Sequence, residues 1–166
     1  MLVEMKVTGL TIDPFTNMPI IILKDMDEKS ALPIWIGLIE ASAIATELEK
    51  IKLARPMTHD LLKNILQALS VRVERVEVND LADNTFYARI HLTSGDREHV
   101  IDSRPSDAIA LALRVGAPIY VDRSVIDKSR QVDLGREGRE GEKGEKERWA
   151  EFLENLNPED FGKYKM

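Results

Sequence analysis

The sequence predicts an α+β fold: mixed, largely antiparallel coiled β-sheets with three main helices, plus a tethered C-terminal helix. Three observations carry this. Stretches with a two-residue apolar period come in two groups, before residue 37 and between residues 71 and 102. Stretches with helical spacing lie between and after these groups, an arrangement that points away from regular strand–helix alternation. No strand leads into a Gly-rich turn, and neither GxGxxG nor a P-loop is present, which disfavours both kinds of nucleotide-binding unit.

Val3, Met5 and Val7 alternate with polar residues, DPFTN at 13–17 supplies a turn, PIIIL at 19–23 is an apolar strand, and residues 31–36 form a third. Gly37 opens a helix over IEASAIATELEKIKLA, with Ile39, Ala43, Ile44, Leu48 and Ile51 on one broad face. Pro56 stops it. Thr58 is a good N-cap for a second helix, in which Leu61, Leu62, Ile65, Leu66 and Leu69 recur as a helix-packing stripe. In VRVERVEVN the apolar phase switches from Val71 and Val73 to Val76 and Val78, predicting a bulge near Glu74 and Arg75. NTFYARIHLT alternates with Phe86, Ala88, Ile90 and Leu92 on one face, and TSGD turns it into REHVID as a hairpin. Ser103 or Arg104 caps a third helix, Pro105 fits its first turn, and Gly116 fits its C-terminal cap. Residues 108–113 are apolar nearly all round, so deep burial follows. Residues 117–121 form a short strand, and Asp122 begins a last helical turn.

Composition changes near Lys128. Gly135, Gly138, Gly141 and Gly144 recur among charges, so residues 129–147 read as a flexible charged Gly/Glu/Lys linker. Trp149, Phe152, Leu153 and Leu156 then take helical spacing before Pro158, so residues 148–166 read as an amphipathic helix and tail, and residues 1–128 as the domain. That helix docks on its own domain, on a sister subunit, or on a foreign partner.

Twenty-three basic against 29 acidic residues leave a net charge of −6. Proteins that hold nucleic acid by counterion release alone carry a basic surface, so tight nonspecific DNA coating is disfavoured. A local basic patch or a bridging metal still permits phosphate contact. With no cysteine, disulfides, thiolate nucleophiles and cysteine metal sites are excluded, and any metal takes oxygen or imidazole ligands. Apolar runs fall short of the roughly 18 to 20 residues of a membrane span, and the N-terminus lacks signal-peptide character, so no membrane and a cytoplasmic address are expected.

Two turns concentrate chemistry at helix starts. RPMTHD at 55–60 places His59 and Asp60 where free N–H groups favour anions, and DSRPSD at 102–107 repeats the design with two carboxylates, two hydroxyls and a guanidinium. In the second, Arg104 suits a phosphate and Asp102 with Asp107 suit a hard cation. Capping and salt bridging explain either turn taken singly. Glu40, at another helix start, is the third element, though a Glu there usually just pairs with the dipole. His91 and His99 face each other only if their hairpin loop has an odd number of residues. Trp35 and Tyr87 are too few for a base-stacking platform and read as core. No GxSxG elbow supports a serine triad.

IWIGxxEASAIA at 34–45, RPMTHDL at 55–61 and SRPSDAIALALR at 103–114 resemble the bifunctional nuclease domain family, small bacterial and plant proteins associated with cleavage of RNA and DNA. The likeness covers about residues 1–128. Some members carry a C-terminal module resembling part of excision-repair proteins, where this chain has the charged linker and short helix. The resemblance implies a nuclease acting on RNA and DNA; taken with the two helix-start turns and the demands of phosphodiester hydrolysis, it leads to the expectation of a divalent metal, Mg or Mn. Chemistry placed on the three blocks assigns His59, Arg104 and Asp107 as catalytic, and Thr58, Ser103, Arg104 and Ser106 as phosphate-binding. It assigns Glu40, Asp60, Asp102 and Asp107 to the metal. The rival expectation is a non-catalytic oligomeric binding or regulatory module using the same turns, or an adaptor working through the tethered helix. A homo-oligomer is expected in either case. The catalytic reading requires the two turns to converge in one pocket.

Overall fold

The computed structural model of the chain describes the backbone of residues 1–134 and the side chains of residues 1–130. The predicted C-terminal helix and most of the predicted linker lie outside the described residues.

Strands β1 (Leu2–Ile12), β2 (Pro19–Asp25) and β3 (Ala31–Trp35) form an antiparallel meander, and β4 (Arg72–Ala82), β5 (Thr85–Ser94) and β6 (Arg97–Ser103) form a second. Strand β7 (Ile119–Asp122) lies between them, antiparallel to β1 and parallel to β4. The separate sheets expected from sequence are thereby joined into one of seven strands, ordered β3-β2-β1-β7-β4-β5-β6. Register shifts between Val73 and Arg75, where the apolar phase switch predicted a bulge. Gly95 and Asp96 turn the β5–β6 hairpin, Gly95 at φ 60. The loop is even, so His91 stands opposite Val100 and His99 opposite Leu92, and the two imidazoles do not face each other.

Helices α1 (Leu38–Leu48), α2 (Thr58–Ala68) and α3 (Pro105–Val115) follow in chain order. Helix α1 is shorter than its apolar pattern: it ends well before Pro56, with Lys50 at φ 52 reversing the chain. Ile39, assigned to its packing face, is exposed, while Ile44 and Ala45 are buried. Helix α3 is the central pillar, packing against α1, α2, β4 and β5. Ala108 to Ala112 bury as predicted, Ile109, Ala110 and Leu111 almost completely, while Leu113 is only partly buried. Arg104 caps it, Pro105 opens it, and Gly116 closes it in the left-handed conformation at φ 71. The missing Pro N–H is harmless in a first turn, and glycine has no Cβ to oppose that φ.

Helix α2 departs from expectation in two ways. Its N-cap is Met57, one residue before the predicted Thr58. Its stripe is not a core face: no residue of α2 is buried, and Leu61, Leu62, Ile65 and Leu69 are exposed, with only Leu66 packed against the core. The last predicted turn is a full helix, α4 (Arg123–Leu134), held by buried Val125 and Ile126 and extending into the segment read as linker.

Candidate functional site

The starts of α2 and α3 converge. Met57 is extended, and its N–H donates to Asp60 Oδ2 at 3.0 Å, which pins the first turn of α2 and sets His59 toward α3. Asp107, in the first turn of α3, meets His59 Nε2 through Oδ1 at 2.9 Å. Asp107 also grips Arg104: Nε donates to Oδ2 at 2.8 Å and Nη2 to Oδ1 at 3.2 Å. Arg104 Nη1 donates to Glu40 Oε1 at 2.8 Å, so the starts of α1 and α3 meet on the guanidinium and His59 of α2 joins them through Asp107. Glu40 reaches the guanidinium by folding back over Gly37, where a Cβ would collide with Glu40 Oε2.

Burial by itself would raise the Asp107 pKa, but hydrogen bonds from Arg104 and His59, with their charges, outweigh it and hold the carboxyl below the usual aspartate range. Asp107 in turn, with Glu40, raises the pKa of Arg104, which keeps its charge. An ionised carboxylate only accepts, so the Nε2–H of a neutral His59 points at Asp107 and Nδ1 carries the free lone pair. Arg104 is well exposed and donates three of its five N–H bonds to carboxylates, leaving one on each terminal nitrogen for an incoming anion.

These groups border a cleft of about 670 Å³. Thr58, His59, Asp102, Ser103, Arg104 and Asp107 line it, as do Leu62 of α2 and Thr85, Phe86, Tyr87 and Ile90 of β5. Tyr87, read from sequence as core, is instead 43% exposed at this cleft. Trp35 is held by its Nε1–H donating to Asp13 Oδ2 at 2.9 Å.

Two predicted residues point elsewhere. Asp60 accepts from Arg114 Nε at 2.7 Å instead of facing Asp107. Arg114 is a buried residue that sequence reasoning missed: it also donates to the carbonyls of Ala110 and Ala43, tying α2, α3 and α1 together. Burial tends to raise the Asp60 pKa, while the Met57 N–H, Arg114 and His59 lower it further, so this carboxyl also lies below its ordinary value. Ser106 is buried and does not line the cleft, so it is not placed to meet a phosphate there. Ser103 lines the cleft, but its hydroxyl donates to the Arg104 carbonyl at 2.8 Å.

The donors do not make a preformed cation cage. Among the described residues no three His, Asp or Glu side chains converge as a metal set, and Glu40 and Asp107 both hold Arg104 instead.

An α+β domain whose two helix starts assemble a histidine–carboxylate–guanidinium cleft is the class that these observations define. Residues 21–133 match the bifunctional nuclease domain, and the chain belongs to that family. It is 36% identical over 162 residues to an uncharacterized protein of Mycobacterium tuberculosis, covering 95% of this chain and 97% of that one. It is also 30% identical over 134 residues to "Bifunctional nuclease 2" of Oryza sativa subsp. japonica, covering 77% of this chain and 41% of the rice protein. With "Bifunctional nuclease 2" of Arabidopsis thaliana it shares 27% identity over 63% of its own length and 33% of the relative's. Among the described residues no helix is long and apolar enough to cross a membrane.

Proposed function

We propose that the chain cleaves phosphodiester bonds of RNA and DNA at this cleft. The observation that carries the reading is the continuous contact from His59 through Asp107 to Arg104, built by two turns remote in sequence. Asp107 fixes the tautomer and orientation of His59. His59 Nδ1 takes the proton of the attacking water as its oxygen bonds to phosphorus, and the leaving oxygen takes a proton from solvent water as its P–O bond breaks. Arg104, with its two remaining N–H groups, receives the non-bridging oxygens and the charge they gain. Thr58 lines the same cleft and is proposed as a further phosphate contact.

No step is routed through a cation: of the carboxylates expected as ligands, Glu40 and Asp107 are engaged by Arg104 and Asp60 by Arg114, and Asp102 alone lines the cleft without an arginine contact. A divalent cation, Mg or Mn, remains part of the proposal on grounds of charge: Glu40 and Asp107 both pair with Arg104 and Asp102 lines the same cleft, an acidic excess that repels a polyanion unless a cation offsets it. The experiment incubates the purified chain with RNA and DNA strands in Mg, in Mn and in EDTA. The reading requires cleavage that falls about 10²–10⁴-fold in His59→Ala, with Arg104→Ala losing both binding and rate. Cleavage unchanged in both variants rejects it.

Self-association of the chain is also proposed, supported by the exposed Leu61, Ile65 and Leu69 of α2.

A further inference from the structure

We infer that the apolar wall of the cleft is a nucleobase subsite, so that the chain takes its substrate as a single strand with one base unstacked into the wall. This rests on the proposed function and specifies its substrate.

The cleft has two chemistries. Arg104 and His59 border it from the helix starts, while Leu62, Phe86, Tyr87 and Ile90 border it from α2 and β5. A phosphate alone has no use for an apolar wall; a nucleotide, with an anion joined to a flat aromatic ring, uses both. The wall is open because of the strand lengths. Pairing of β5 with β6 stops at Ala88 opposite Ser103, and residues 85–87 run on with only β4 beside them. That strip carries Phe86 and Tyr87, which project to alternate faces of the strand, Phe86 partly against the core and Tyr87 exposed, and both line the cleft. Helix α2, none of whose residues is buried, presents Leu62 to the same space. The volume, about 670 Å³, lies within that of small-molecule sites.

Charge gives a second reason. A chain of net charge −6 gains little from counterion release along a duplex, so part of its grip on a strand has to come from stacking. Every base has a π-face, so the wall accepts RNA and DNA alike. In a duplex those faces are stacked and the base edges paired, and reaching the wall requires flipping a base out.

The test is fluorescence anisotropy of the full chain in EDTA, with three labelled DNA probes of one length: a single strand, its duplex, and a fully abasic strand. The single strand is expected to bind about 10-fold or more tightly than the duplex. Tyr87→Ala and Leu62→Ala should each weaken the single strand several-fold and leave the abasic strand unchanged. Phe86 packs partly against the core, so Phe86→Leu is the variant used there, with its thermal melt recorded alongside. Equal affinity for single strand and duplex, or equal weakening of the abasic strand, overturns the subsite, and the phosphate reading survives if Arg104→Ala still weakens all three. Binding of none of the probes, in EDTA or with Ca²⁺ added, overturns both readings. An altered oligomeric state in Tyr87→Ala with unchanged strand affinity assigns the wall to a second copy and overturns the subsite.

Discussion

His59 and Asp107 stand 48 residues apart in the chain, on different helices, and meet through Nε2 and Oδ1 at 2.9 Å. Asp107 simultaneously accepts from Arg104, and Arg104 also donates to Glu40, so one line of contacts joins α1, α2 and α3 at their N-terminal ends. That line makes the helix starts one site.

Gly37 is expected to matter through Glu40. An alanine Cβ there collides with Glu40 Oε2 and displaces a carboxylate that holds Arg104. Gly37→Ala should lower cleavage on the order of 10-fold through misplacement of the guanidinium, with the fold retained. Steady-state kinetics beside a thermal melt checks this; a rate equal to wild type refutes the positioning role.

Asp60 is expected to act on stability. Asp60→Asn removes the carboxylate that faces the buried Arg114 Nε. Leaving that donor poorly satisfied costs about 1–3 kcal/mol, toward the lower end because Asp60 is partly exposed and solvent screens the pair. Urea unfolding measures it.

Acid should destabilise the chain. Asp60 and Asp107 both titrate below their ordinary value of 3.8, so the unfolded state binds protons first as pH falls. Their stabilisation is complete above the unfolded pKa and is lost as pH drops through the folded values. Urea midpoints should therefore hold steady down to about pH 4 and decline below it, less steeply in Asp60→Asn.

The apolar surface of α2 makes its own prediction. If Ile65 and Leu69 seal a subunit contact, the chain elutes as an oligomer in light-scattering chromatography, and Ile65→Glu with Leu69→Glu converts it to a monomer. A monomeric wild type contradicts the contact.

Much of the fold was legible because its signals are local. Pro105 and Gly116 bracket α3, and the phase switch after Val73 marks the bulge, since caps and side-chain period are properties of a few neighbouring residues. The two turns of the site were found in the same way. Which of their side chains would meet was not legible, because it depends on packing. Adjacent residues on a helix point about 100° apart, so once α2 docks on α3, His59 faces Asp107 and Asp60 turns to Arg114. Arg114 sat in an apolar run with no local sign of a partner. The leucines of α2 showed which face is apolar but not what covers it, and Tyr87 read as core because the early end of β6 is invisible in its own strand.

The central claim is that His59 and Asp107 work as one unit on the scissile phosphate, and a double-mutant cycle on cleavage tests it most directly. His59→Ala, Asp107→Asn and the double variant should all fall to nearly the same residual rate, because removing either member disables the pair. Independent losses that multiply in the double variant, or a single variant that cleaves at the wild-type rate, would contradict it.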